Sequence, residues 1–296
     1  MTKVTVLGTG RMGGAIARRL AATGSDVTVW DRTATRAQAL GIGRVAPTPA
    51  VAVSDADIAI SSLTNADAVR DVYLGPRGAF EISGKATLFV DMSTAGPESI
   101  AQLSQEARTR GLRLLEAPVI GSVPAVESGT LAVLVAGSQQ DLAQARPVLE
   151  RLGEVHYVGG FGSAARLKLV ANTMLAITSA AAAELLAAGT AAGLDREQVF
   201  WALARFAPAL KAREAGFMRG KHAPTMFAVR DLVKDLGLAL EVYEHVHAAV
   251  PLTSEARVLF TETAAESSDL DISAIVNAYP TGDRASQTTE MVRKTR

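Results

Sequence analysis

Lys168 and Asn172 are two polar residues four positions apart in the largely apolar segment GSAARLKLVANTML. On an α-helix such residues share a face, so an ammonium and an amide would point in the same direction. A lysine in apolar surroundings is costly unless it has a partner or a task. Desolvation disfavours its charged form, which would suit a general acid or base. The alternative is a lysine that extends from the helix end to solvent, and these residues alone leave both possibilities open.

A second set of residues has the spacing of a phosphate-binding turn. Gly8, Gly10 and Gly13 follow an apolar run at residues 4–7. The first glycine allows a tight turn, the second lets a pyrophosphate approach the backbone, and the third lets a helix pack on the strand. The N-terminus of that helix would face the phosphates. Asp31 closes the next apolar run, where an acidic residue meets an adenosine ribose. The pattern predicts a dinucleotide site rather than a plain strand–helix–strand unit.

The order of the predicted elements indicates how these residues are held. Up to residue 162, apolar runs alternate with helical patterns, which is typical of a doubly wound, mainly parallel sheet with helices on both faces. Beyond it, strand patterns end and Ala, Leu and Glu dominate. We therefore predict an α/β fold with a Rossmann-type domain at 1–162 and an all-α domain at 163–296, joined by a long interdomain helix. The polar segment 280–296 is expected to be loose.

The individual elements are predicted from the same patterns. The predicted strands cover 3–7, 27–30, 57–62, 87–91, 112–116, 131–136 and 155–158. The predicted helices of the first domain cover 11–23, 33–40, 66–73, 97–109 and 139–151. Those of the second domain cover 163–192, 195–206, 208–219, 228–247, 251–266 and 271–278.

Composition excludes several classes of function. Thirty basic and thirty acidic residues cancel, which gives no electrostatic reason to expect a nucleic acid or an anionic membrane as partner. The chain has no cysteine, so thiolate chemistry and disulfides are excluded. We expect no metal site and place the histidines at the surface. They are His156, His222, His245 and His247.

Two further expectations concern membranes and location. The stretch 174–192 is rich in Ala, Thr and Ser, so it is expected to be a buried helix, too weakly apolar to span a bilayer. The sequence begins directly in a predicted strand without a targeting pattern, which favours the cytoplasm.

The chain resembles the β-hydroxyacid dehydrogenase family, which includes 3-hydroxyisobutyrate dehydrogenases and tartronate semialdehyde reductases. Five segments carry the resemblance, in order and over nearly the full length: GTGRMGG, DMSTAGPESI, EAPVIGSVPAVESGTLAVLVAG, GSAARLKLVAN and KDLGLALE. The resemblance implies an oxidoreductase that uses NAD or NADP on a small-molecule substrate. Lys168 would then be the catalytic lysine, which gives a proton to the substrate oxygen in reduction or removes it in oxidation. Asn172 would hydrogen-bond the substrate.

The resemblance also implies cofactor contacts outside the glycine turn. Leu63 and Thr64 would line the nicotinamide ribose, with Ala68 behind them. Thr94 would hydrogen-bond the cofactor near the nicotinamide, and Lys234 would reach over from the helical domain to close the site. The plainer alternatives are a helix N-cap for Thr94 and a surface ion pair for Lys234 with a neighbouring aspartate. Within the turn we add three expected contacts, Thr9, Arg11 and Met12.

The choice between NAD and NADP is mixed. Asp31 would accept hydrogen bonds from an NAD ribose and repel a 2′-phosphate. Arg32, Thr33 and Arg36 follow at once, and cations there accommodate such a phosphate. We expect use of both cofactors, with a leaning toward NAD.

The substrate loop departs from the family. Where the family usually has D-A-P-V-S-G-G, this chain has EAPVIGS, so Ile120 replaces the serine, Gly121 is kept, and Ser122 replaces the last glycine. An isoleucine side chain offers no hydrogen bond to a carboxylate, and Ser122 could restore one only from a shifted place. This favours a larger or less charged carbonyl compound than a small 3-hydroxy acid. Imine reductases, which share the architecture, are the alternative. The retained Lys168 favours carbonyl chemistry over them.

Two further alternatives concern catalysis and assembly. A cofactor-binding module without catalysis is a rival hypothesis, although Lys168 and Asn172 are both present. The small-sided helix at 180–192 suits close helix packing, so a homodimer or homotetramer is expected.

Overall fold

The structure, a computed structural model, describes residues 1–81 and 87–279. The chain divides into two compact units, Met1–Lys168 and a second one that starts at Leu169. This division falls six residues beyond the domain boundary expected after residue 162, which stays a prediction. The expectation for 280–296 concerns residues outside the described part of the chain.

The N-terminal unit alternates strands and helices, as the apolar runs predict. Its strands are β1 (Lys3–Leu7), β2 (Asp26–Trp30), β3 (Arg44–Val45), β4 (Ile58–Ser61), β5 (Leu88–Asp91), β6 (Arg113–Glu116), β7 (Val119–Ile120), β8 (Leu131–Gly137) and β9 (Gly153–Gly159). Its helices are α1 (Arg11–Ala22), α2 (Ala34–Ala39), α3 (Pro49–Val53), α4 (Ala66–Leu74), α5 (Pro97–Thr109), α6 (Val123–Ser128) and α7 (Gln139–Leu149), with a 3₁₀ turn at Ala79–Glu81.

The sheet is mainly parallel, which confirms the predicted fold class. Strands run in the order β3-β2-β1-β4-β5-β6-β8-β7, and β9 pairs with β8. From β3 to β6 every pairing is parallel, whereas β8 lies antiparallel to β6 and β7. The strand order reverses between β1 and β4, the place where doubly wound sheets bind ligands.

The register brings the carboxyl ends of the parallel strands to one edge. Leu7 pairs with Ser61, Ser61 with Asp91, and Asp91 with Glu116. Each of these residues is the last of its strand. The loops that follow β1, β4, β5 and β6 therefore start side by side. Some of the predicted site residues lie on them: Gly8, Thr9, Gly10, Leu63, Thr64 and Thr94.

Alternation along the strands explains the layers of the core. Ile58 and Ile60 belong to one buried apolar cluster, whereas the intervening Ala59 belongs to another. Successive side chains of a strand point to opposite faces, so the two clusters lie on the two faces of the sheet. Continuous apolar runs are what a sheet covered on both faces requires.

The second unit is helical, as predicted. A 29-residue helix, α8 (Ser163–Ala191), starts in the first unit and continues into the second. The other helices are α9 (Arg196–Phe206), α10 (Glu214–Arg219), α11 (Val229–His245) and α12 (Pro251–Ser267). Buried Phe217, Phe260 and Leu232 belong to the core of this unit.

Several short elements differ from the predictions. The helix predicted at 208–219 is a 3₁₀ helix at Pro208–Arg213 followed by α10, and the one at 271–278 is a 3₁₀ helix at Ile272–Ala278. Four short elements were not predicted, the two-residue strands β3 and β7 and the helices α3 and α6. So few residues are too short a segment to show a repeating apolar pattern.

Two expectations about individual side chains or segments were wrong. His222 is buried, 9% exposed, and its Nδ1 lies 3.0 Å from Ser273 Oγ. Burial lowers the pKa of His222, against an opposing effect of Asp271. By length and composition α8 could cross a membrane, since an 18-residue stretch of it has a mean hydropathy of 1.5. Half of that stretch is buried in the protein, and core helices meet the same criterion.

Candidate active site

The glycine turn after β1 has the geometry of a dinucleotide cradle. Gly8 has φ +91°, and a Cβ on Gly13 would lie 2.0 Å from the Gly8 carbonyl oxygen, so α1 packs directly on the turn. A Cβ on Gly10 would meet no atom within 4 Å. The first turn of α1 also holds no acidic side chain. Open space at Gly10, beside a helix N-terminus, is what the approach of a pyrophosphate requires, so the residues fit a dinucleotide.

Asp31 connects the glycine turn with the loop after β2. Its Oδ2 accepts the Thr9 backbone N–H at 2.7 Å and the Thr9 hydroxyl at 3.0 Å. Its Oδ1 accepts the Thr33 N–H at 2.8 Å. Each oxygen of a carboxylate has two acceptor sites, so the same side chain that would meet the ribose also holds the turn in place.

The residues expected near the adenosine ribose lie at the surface. The cations Arg32 and Arg36 are exposed, as are Thr33 between them and Arg11 in the glycine turn. Met12 is partly buried against the core of the sheet.

The loops after β4 and β5 are joined by a buried hydrogen-bond cluster. Asp91 Oδ1 accepts the hydroxyls of Ser61 and Ser93, each at 2.6 Å. The Ser93 hydroxyl in turn accepts the Leu63 N–H at 3.0 Å. Burial raises the pKa of Asp91, and the hydrogen bonds from Ser61 and Ser93 oppose that rise. Asp91 thereby positions Leu63, one of the expected cofactor contacts.

The other expected contacts of these loops occupy partly open positions. Thr94 and Ala68 are half-buried and Thr64 is exposed. The alternative that Thr94 caps α5 is wrong, because the N-cap is Gly96 with φ +90°. A left-handed backbone at that position favours glycine.

Glu116, at the end of β6, holds the start of α8. Its Oε2 accepts the Gly162 N–H at 2.6 Å, and its Oε1 accepts the Ala165 N–H. The residue is 2% exposed. Burial raises the pKa of Glu116 to about 7, with the two backbone hydrogen bonds opposing that rise. Lys168 is half-buried and lies one turn beyond Ala165 on the same helix.

Asn172, four residues after Lys168 on α8, is oriented by a buried carboxylate. Its Nδ2 donates to Asp235 Oδ2 at 2.6 Å, and both residues are at most 4% exposed. Lys234 Nζ lies 2.7 Å from Asp235 Oδ1. Asp235 thus connects Lys234 with Asn172. The ion pair agrees with the alternative of a neighbouring aspartate for Lys234, although Asp235 is buried, and the cofactor contact of Lys234 stays a prediction.

The segment after Glu116 carries the departure from the family pattern. Ile120 ends β7 and is 39% exposed. Gly121 has φ +132°, where a Cβ would lie 2.6 Å from Leu131 Cδ2. Ser122 is the N-cap residue of α6 and makes no side-chain capping bond.

Three buried carboxylates were missed by the sequence reasoning. Asp91, Glu116 and Asp235 all lie within segments quoted for the family resemblance, yet none was assigned a role. Their position in the sequence could have indicated a role, because Asp91 and Glu116 end strands at the carboxyl edge of the sheet. Within residues 1–81 and 87–279, no group of three His, Asp or Glu side chains could hold a metal ion.

Comparison with known proteins agrees with this geometry. The family model for the NAD binding domain of 6-phosphogluconate dehydrogenase matches residues 3–160. The model for the NAD-binding domain of NADP-dependent 3-hydroxyisobutyrate dehydrogenase matches residues 162–279. The fold and site define an oxidoreductase that uses NAD or NADP. The chain belongs to the β-hydroxyacid dehydrogenase family.

Individual relatives support the same conclusion. The 3-hydroxyisobutyrate dehydrogenase of Pseudomonas aeruginosa is 34% identical over 94% of this chain and 99% of its own length. The cytokine-like nuclear factor N-PAC of Danio rerio is 31% identical over 94% of this chain, which spans 62% of that protein.

Solved structures are similar over nearly the whole chain. A Mycobacterium tuberculosis 3-hydroxyisobutyrate dehydrogenase with L-serine has a TM-score of 0.76 and 28% identity, covering 94% of this chain and 98% of the other. An imine reductase variant from Myxococcus stipitatus with NAD⁺ has a TM-score of 0.63 and 20% identity, covering 94% and 99%. The second likeness concerns the fold alone.

Proposed function

We propose that this enzyme interconverts a hydroxyl and a carbonyl group, with Lys168 as the general acid and base. The observation that carries the proposal is the anchoring of α8. Glu116 at the carboxyl end of β6 binds the first turn of that helix, and Lys168 follows one turn later. Doubly wound sheets bind their ligands at the carboxyl edge.

The proton steps follow from the chemistry of an amine. When bound at this edge, a nicotinamide would supply or accept the hydride. In reduction, the Lys168 ammonium donates a proton to the carbonyl oxygen while that carbon gains the hydride. In oxidation, the neutral amine takes the hydroxyl proton while the carbon loses the hydride. Asn172, held by Asp235, would orient the substrate oxygen with its remaining hydrogen-bonding capacity.

Replacing Lys168 tests this assignment. Lys168→Ala should lower turnover by at least about a hundredfold, because general acid–base catalysis contributes that much, while cofactor affinity stays near normal. Lys3→Ala is a matched control, since Lys3 begins β1 at the opposite end of the strand and pairs with Asp55. Oxidation of the reduced cofactor with a panel of aldehydes and ketones gives the rates. Wild-type turnover in the Lys168 variant would refute the assignment.

The identity of the substrate rests on Ile120. Its apolar side chain is exposed on the segment that the family uses for the substrate carboxylate. This supports a carbonyl compound larger or less charged than a small 3-hydroxy acid. The same observation favours a second candidate, reduction of a C=N bond, since an imine needs no carboxylate site. Cyclic imines in the same panel separate the two, because activity with imines alone would replace the first proposal.

Use of both NAD and NADP, with a leaning toward NAD, is supported by the loop after β2. The Asp31 carboxylate lies where it would repel a 2′-phosphate, while Arg32 and Arg36 are exposed beside it. Steady-state rates with the two reduced cofactors test this, and a strong preference for NADPH would contradict it.

A cytoplasmic homodimer completes the proposal. Val170, Met174 and Leu185 are exposed on α8, and their spacing places them along one stripe of the helix. Such an apolar stripe suits packing against a second copy. Met174→Glu should then give a monomer by light scattering, whereas the control Glu241→Gln, at an exposed position on α11, should not. A monomeric wild-type protein would refute the dimer, and cell fractionation tests the location.

A further inference from the structure

Glu116 joins two segments of the site that are distant in sequence, and one of them is the start of the helix that bears Lys168. It is the last residue of β6 and directly precedes the segment that ends in Ile120, Gly121 and Ser122. Its two oxygens bind backbone N–H groups 46 and 49 residues further along, at the start of α8. One side chain therefore ties the expected substrate segment to the helix that bears Lys168.

The geometry at the start of α8 is that of a cap supplied from outside the helix. The first N–H groups of a helix have no partner within it. The Ser163 N–H bonds the Gly160 carbonyl oxygen at 3.2 Å, and Glu116 accepts those of Gly162 and Ala165. A carboxylate is favoured there by the positive end of the helix dipole and by charge-assisted hydrogen bonds.

The charged form accepts both bonds more strongly than the protonated form. A carboxylate accepts at both oxygens, whereas a protonated carboxyl group has one oxygen that carries hydrogen and accepts less well. Protonation would therefore weaken one of the two N–H bonds. Two other ionisable groups act on the pKa of this side chain. Asp91 on β5 raises it, and Arg166 on α8 lowers it.

We infer that Glu116 is a positioning residue, whose carboxylate fixes the first turn of α8 and so places Lys168 for proton transfer. This inference rests on the proposed role of Lys168. Because a displacement of about 1 Å can cost about a hundredfold in rate, loosening this turn should affect turnover rather than cofactor binding. When Glu116 is protonated, the same loosening should occur in the wild-type enzyme.

Kinetics with Glu116→Gln test the positioning role. We expect kcat to fall about ten- to a hundredfold with the cofactor KM unchanged. In the wild type, kcat should fall as the pH drops through about 7, and the variant should lack that limb. Glu154→Gln, at an exposed position on β9, is the matched control and should behave as wild type. A variant with lowered stability but unchanged kcat and pH profile would reduce Glu116 to a structural cap and overturn the inference.

A second measurement needs neither substrate nor a variant. In NMR spectra of the wild-type protein, the amide signals of Gly162 and Ala165 should shift together with a common midpoint near pH 7. Amide signals that do not titrate, or that titrate independently, would overturn the inference. The proposed function fails separately, if Lys168→Ala retains turnover, so the two failures are distinguishable.

Discussion

Replacing Glu116 should change how the stability of the N-terminal unit depends on pH. Burial raises the pKa of this carboxyl from 4.5 to about 7 in the folded protein. Between these values the folded state holds a proton that the unfolded state has lost, so stability falls as the pH rises. The stability that the bound proton of Glu116 contributes is fully present below pH 4.5 and is lost as the pH passes about 7. Linkage gives a loss of about 2.5 kcal/mol between about pH 5 and 8.

The assay can observe the first unit alone. The chain has two tryptophans, Trp30 at the end of β2 and Trp201 on α9. In a Trp201→Phe background, Trp30 fluorescence during urea unfolding reports the N-terminal unit. Glu116→Gln should then lack the loss of about 2.5 kcal/mol. Titrating groups that do not act on Glu116 contribute equally to both proteins and cancel in the difference.

The outcome that refutes this reasoning is simple. If the wild type and Glu116→Gln lose the same free energy of unfolding between about pH 5 and 8, burial does not raise the pKa of Glu116. The control Glu154→Gln should show the same dependence of stability on pH as the wild type. The expected result has a wider meaning, since a carboxylate kept charged at a cost in stability is typical of functional sites.

Three further predictions concern the cofactor and the substrate. Gly13→Ala should lower both the melting temperature and cofactor affinity, because its Cβ would lie 2.0 Å from a backbone oxygen. Gly10→Ala, with open space around it, should keep the wild-type melting temperature but weaken cofactor binding about tenfold or more, roughly 1.4 kcal/mol, as fluorescence titration measures. Equal melting temperatures of the two variants would contradict this. Asp31→Asn should raise the ratio of kcat/KM for NADPH over NADH about tenfold, roughly 1.4 kcal/mol, and an unchanged ratio would exclude Asp31 as the discriminating group. Ile120→Ser should raise kcat/KM for small 3-hydroxy acids about tenfold, as one hydrogen bond of about 1.5 kcal/mol to a charged group allows; no gain would count against a carboxylate subsite there.

Local patterns were sufficient for the framework of the protein. The glycine turn could be predicted because each glycine meets a local demand, a positive φ at Gly8 and a close packing at Gly13. The long strands and helices followed from apolar periods that are set by the geometry of each element. The spacing of Lys168 and Asn172 predicted a shared helix face, and the family resemblance gave these two residues and Lys234 their expected roles.

The short elements escaped prediction for a physical reason. β3 and β7 have two residues each, too few to show alternation, and their formation depends on a neighbouring strand. The 3₁₀ helix at Ile272–Ala278 has the same apolar residues that an α-helix would have. The segment starts at Asp271, whose carboxylate accepts hydrogen bonds from Arg213, Met226 and Ser273, two of which lie far away in sequence.

What the sequence by itself determined is the class of protein, because a dinucleotide turn and the periods of its strands and helices are local properties of the chain. Only the tertiary structure decided which side chains support the site. Glu116 contacts α8 from 46 residues away, and Asn172 meets Asp235 across 63. Burial and charge at such contacts depend on how distant segments pack, and no local pattern contains that information.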